Sequence, residues 1–169
     1  MPPLRLAAIG LLLVLVEIRL GSLVFSLDLL GWLMVIGGTH QLAGLNNWFT
    51  WARNLAVAAL VLEMVLWISP IALISTLAST LIRLAILACV FCLCSALLAR
   101  LGKGDKAYGI TLQVLRILIP LVTLLGAAAA VLEVPAALPL GWLYPAQLVG
   151  TVVLAGVMWV LGSRYSFSR

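Results

Sequence analysis

An all-α fold, a polytopic membrane helix bundle with six transmembrane helices in a single domain over residues 1–169, is what this sequence predicts, and three observations predict it. Hydrophobic residues make up 65% of the 169 and charged residues only 9%. The mean hydropathy of +1.27 exceeds what a water-soluble domain of this size carries without aggregating. The apolar residues fall into six runs with short connections, and since a span needs about 20 apolar residues, little room remains for a soluble domain. Charge follows the same plan. With both termini cytoplasmic, the inner segments hold Arg5, Arg53, Arg100, Lys103, Lys106, Arg164 and Arg169, and the outer ones Arg19 alone. The net charge of +5 is therefore read as the orientation signal of a multi-pass protein of the cell membrane, with the lipid bilayer as its partner and no nucleic acid.

Arg5 and the apolar run 6–16 have the outline of a signal peptide, but no small-residue cleavage pattern follows, so the run is expected to remain as a first full span. Residues 20–27 alternate weakly between polar and apolar. Asp28 then opens a second run over 29–45, where an acid suits the positive end of the helix dipole and is expected to cap the helix. Gly31, Gly37, Gly38 and Gly44 cost helix propensity but let backbones approach closely, which places this helix inside the bundle. His40 and Gln41 near its end are expected to hydrogen-bond locally. Residues 46–54 set Trp48, Phe49 and Trp51 beside Arg53, the composition of an aromatic belt on the positive side. The third span continues through Ile68 and carries Glu63; Trp67, Ser69 and Pro70 make an uncharged turn. The fourth is interrupted by Arg83 and runs into Arg100, Lys103 and Lys106. The fifth covers 109–132, with Arg116 near enough to the basic loop to reach phosphates and Pro120 expected to kink it. Glu133, Pro135, Pro139 and Pro145 mark the last outer connection, and residues 144–162 complete the sixth span.

The charges inside these runs point to a site. A charged side chain at the centre of a span costs about 2.5 to 3.5 kcal/mol, so Glu63 and Arg83 are expected to face protein. A short turn makes the third and fourth helices antiparallel neighbours. An arginine side chain reaching outward covers most of the roughly 7 to 8 Å between their depths, which predicts an ion pair. Thr76 and Thr80 share a helix face with Arg83 and would line an outward-facing polar pocket. Glu17, Asp28 and Glu133, each at the outer end of a different run, would form an acidic layer around it.

Two functions fit such a site. One is binding or transport of a small solute or ion. The other is a non-catalytic accessory or assembly subunit, in which the same charges are buried pairs that fix helix register beside a membrane-protein partner or a second copy of the chain. An enzyme is not expected: no H-E-x-x-H, G-x-S-x-G or aspartate-rich prenyl-binding motif is present, and the chain has 1 histidine. Nothing in it calls for a cofactor or a metal. Cys89 and Cys92 form a C-x-x-C, but thiol exchange on a membrane helix needs a second, loop-borne pair, so Cys89, Cys92 and Cys94 are expected to pack as small apolar residues.

Residues 19–32 (RLGSLVFSLDLLGW) resemble a stretch found in an uncharacterised family of small bacterial membrane proteins, with Asp28, Gly31 and Trp32 matching and the family's proline absent. That resemblance implies no activity. In architecture alone, the chain is similar to the substrate-capture subunits of energy-coupling-factor transporters, although Ala7, Ala8 and Gly10 do not reproduce the Ala-x-x-x-Ala face those subunits present.

Overall fold

A computed structural model describes residues 2–14, 17–20, 23–68, 72–101, 105–131 and 143–164, with side chains described over 2–14, 27–68, 77–101, 105–125 and 145–164. Six helices form in the expected order: α1 (Pro3–Leu13), α2 (Asp28–Leu42), α3 (Asn47–Ile68), α4 (Ala72–Leu98), α5 (Lys106–Val131) and α6 (Leu143–Arg164). Each packs against the next, and α6 returns to α1, so the six close into a ring. Four of them are long and apolar enough to cross a membrane, over Asn47–Ile68, Leu77–Leu98, Lys106–Leu125 and Pro145–Arg164. Pro3–Leu13 is apolar but shorter.

Glycine decides how α1 meets α2. A Cβ added to Gly10 would lie 2.6 Å from the carbonyl oxygen of Gly31, and one added to Gly31 would lie 2.7 Å from that of Gly10. Lower down, a Cβ on Gly38 would meet the carbonyl of Pro3 at 2.5 Å. The backbones touch because nothing stands between them, as the sequence predicts for Gly31 and Gly38. Gly37 has more room, its nearest neighbour being Leu6 at 3.4 Å.

The seam between α3 and α4 is also built from small residues. Phe49, Ala52, Ala56 and Ala59 are buried along one stripe of α3, at the three- and four-residue spacing of a helix face. Ala78, Ala85 and Cys89 are buried on α4. Contact is close enough for the Cys89 thiol to donate to the Ala52 carbonyl at 3.6 Å. All three cysteines are free and buried, the packing role the sequence gives them. The C-terminal half of α4 disappears into the core with Val90, Leu93, Ala96 and Leu97, whereas its N-terminal half exposes Leu77, Thr80, Leu81, Arg83 and Leu84.

At the end of the bundle that holds Arg5 and Arg164, ring closure brings charge onto aromatic faces. Gly162 of α6 lets α1 approach, with Arg5 and Leu4 as its nearest neighbours, and the Arg5 guanidinium lies 4.9 Å from the centre of the Trp159 ring. Arg164 meets Asp105 at 3.5 Å and lies over Tyr108. Arg100 donates to the Leu45 carbonyl, tying the end of α4 to the α2–α3 turn.

Several expectations need correction. The first helix ends at Leu13, short of Val16, and β1 (Glu17–Leu20) and β2 (Leu23–Ser26) pair as a two-stranded antiparallel ribbon. Glu17 therefore lies on a strand, in register with Ser26, and not at a helix end. Its cause is visible in the sequence: Glu17-Ile18-Arg19-Leu20 has a period of two, and Gly21-Ser22 supplies turn chemistry. Asp28 occupies the first turn of α2, but the position before it is Leu27 and no side chain caps the helix. The second helix stops at Leu42, before the Asn46–Trp48 turn. Glu133 and the outer connection after α5 lie outside the described residues.

Candidate functional site

The start of α2 and the end of α3 carry the acids. Glu63 continues the buried stripe of α3, four residues beyond Ala59, which turns it toward the neighbouring helices and leaves it half-buried. Asp28, also half-buried, begins the antiparallel α2, and its charge is close enough to act on Glu63. Measured from the α2–α3 turn at 1.5 Å per residue, Asp28 is about 21 Å above Leu42 and Glu63 about 24 Å above Asn47, so one level holds both. Among the described residues Glu63 makes no hydrogen bond and no ion pair, and the charge beside it has its own sign. Trp32, one turn below Asp28, is fully buried with its indole N–H unbonded.

The predicted partner of Glu63 is elsewhere. Arg83 is exposed, and no ion pair joins it to Glu63. Small residues decide this: Ala85 and Cys89 occupy the face of α4 that meets α3, and Arg83, two positions before Ala85, lies about 200° around the helix from it. Thr80 is exposed near the same face. The side chains of Thr76 and Glu17 lie outside the described residues; among the described ones Arg83 does not join Glu63, whereas the charge of Asp28 acts on it.

Sequence reasoning overlooked an aromatic and cationic group in the half of the bundle nearer the α2–α3 turn. The Arg116 guanidinium lies 4.3 Å from the centre of the Phe91 ring, and Phe91 meets Trp48 edge-on at 6.2 Å, linking α3, α4 and α5. Arg116 thus stacks within the bundle, although the sequence sends it to phosphates. The recurrence of Phe91 at helical spacing with Leu87 and Ser95 carried no warning of it. His40 behaves as predicted, its Nδ1 lying 3.4 Å from Arg53.

Comparison with protein-family models, with curated proteins and with solved structures returns no match.

Proposed function

We propose that the protein is a multi-pass protein of the cell membrane, with six transmembrane segments and both termini cytoplasmic, that binds a small cation, a proton included, at its outer end as a step in transport. One observation carries the reading: two half-buried acids on adjacent helices, Asp28 and Glu63, lie at one level and near enough for the charge of the first to act on the second, and Glu63 has no hydrogen bond among the described residues. Two like charges held close and partly away from water repel, and a cation between them relieves the repulsion. The overwhelmingly apolar exterior supports the membrane setting, with Leu33 57%, Ile117 63% and Ile68 81% exposed.

Thermal unfolding of the detergent-purified protein in sodium, potassium, magnesium and calcium salts and across pH tests the site. A bound cation at a hundred times its Kd stabilises by about 2.7 kcal/mol. That gain should vanish in Glu63→Gln and shrink in Asp28→Asn. A wild type indifferent to every one of these cations and to pH would refute it. Orientation has a separate check: a cysteine placed at Lys103 should resist an impermeant maleimide from outside, while one at Ala137 reacts. Labelling at residue 103 would reverse the orientation.

The accessory-subunit reading is supported by a different observation, the exposure of Arg83.

A further inference from the structure

Arg83 is the one described cation placed far from both ends of the bundle and on its outside. Its depth follows from the α3–α4 register. Cys89 sits beside Ala52, and Arg83 is about 9 Å farther outward along α4, which puts it level with Ala58. Trp48 and Trp67, both exposed on α3, are about 28 Å apart along the helix axis, close to the thickness of a bilayer's hydrocarbon and at the depths aromatic belts occupy. Ala58 is about 15 Å from Trp48 and about 14 Å from Trp67. Arg83 thus stands near the middle of the apolar layer. An arginine side chain spans only about 6 to 7 Å, too little to reach either belt by snorkelling.

Its surroundings offer no relief. Leu77, Leu81 and Leu84 are exposed beside it at 58%, 49% and 48%. Arg83 has neither a hydrogen bond nor an ion pair among the described residues, and a cation on a lipid-facing surface at that depth is what membrane proteins avoid.

From this we infer that the outer half of α4 is a docking face for a transmembrane helix of a different protein, one that carries an aspartate or glutamate near the middle of its span to pair with Arg83. Charge complementarity selects the occupant. A second copy of this chain does not qualify, because its acids number only 5 and none sits at this depth: Glu17 is on β1, Asp28 opens α2, Asp105 precedes α5, Glu133 follows it, and Glu63 lies about 7 to 8 Å farther outward. Two copies sharing one orientation would bring Arg83 toward Arg83. The exposed leucines and Thr80 supply the packing surface around the pair. The inference rests on the membrane-spanning reading, which the labelling at residues 103 and 137 tests on its own. It is independent of the cation site.

The test is photocrosslinking in native membranes from a benzoylphenylalanine at Leu84, in the full chain, with adducts identified by mass spectrometry. The expected result is an adduct with a different membrane protein whose span holds a central Asp or Glu. Its yield should fall at least about tenfold in Arg83→Leu, since breaking a desolvated charge pair is strongly unfavourable, and should largely return in Arg83→Lys. Exchanging the charges, Arg83→Asp with the partner's acid changed to Arg, should also restore it. Because Arg83 makes no hydrogen bond or ion pair among the described residues, unchanged thermal unfolding of Arg83→Leu in detergent separates lost docking from misfolding. Adducts only with lipid, only with a second copy, with a span lacking a central acid, or insensitive to Arg83→Leu would each overturn the proposal.

Discussion

Replacing Gly31 by valine is expected to break the α1–α2 pair and to lower the stability of the detergent-extracted protein by about 3 kcal/mol or more, at the top of the range for overpacked cores. The first atom added beyond the backbone already meets the Gly10 carbonyl oxygen at 2.7 Å and the Val14 backbone nitrogen at 2.9 Å. Neither can swing aside, as the end of a flexible side chain would. Relief therefore requires the two helices to separate along much of the length of α1, which is only 11 residues long and has α6 as its other helical neighbour. Gly10→Val should behave alike, because its added atom meets the Gly31 carbonyl oxygen on the facing helix at 2.6 Å. Gly156→Ala is the control: nothing lies within 4 Å of a Cβ there, so unfolding should be unchanged or slightly raised. Equal stability of Gly31→Val and wild type would mean that α1 and α2 are not in contact at these residues.

The second large effect is expected at Trp32, where two substitutions should part company. The side chain is fully buried, and truncating a buried tryptophan to alanine costs about 3 to 5 kcal/mol through lost burial and the cavity it leaves. Phenylalanine keeps much of the volume and removes an indole N–H that has no hydrogen-bond partner. Loss of a buried, unbonded donor recovers about 1 to 3 kcal/mol, which offsets most of the smaller cavity. Trp32→Phe should therefore unfold within about 1 kcal/mol of wild type and Trp32→Ala far below it. If phenylalanine proved as damaging as alanine, the N–H would have to be engaged in solution, and its place one turn below Asp28 would make it part of the cation site.

Much of this arrangement was legible in the residues. Helix number and order follow from the apolar runs, and the close α1–α2 approach follows from Gly31 and Gly38, whose cost in helix propensity makes sense only where backbones meet. Glu63 was legible as an acid turned inward, because Ala52, Ala56 and Ala59 mark the face it continues. Its true neighbour was not, since Asp28 is close in depth only once α2 proves short. The error over Arg83 has a definite source. Intramembrane charges were assumed to be satisfied within the chain, while the small residues Ala85 and Cys89 already showed that the inward face of α4 lies elsewhere. The ribbon of β1 and β2 was hidden by leucine-rich neighbours, although the alternation from Glu17 to Leu20 has a period of two.

Ring closure has a consequence for how the molecule is made. The other main helix contacts among the described residues join neighbours in sequence and can form as soon as each hairpin of helices emerges, but α1 meets α6 only when synthesis is nearly complete. The roughly 130 residues between them take on the order of 6 to 26 s to translate at about 5 to 20 residues per second. For that interval the flank of α1 that will receive Gly162 and Trp159 stays uncovered, with Arg5 lacking the ring it finally rests on. Newly made chains thus wait with this side of α1 open until α6 is complete.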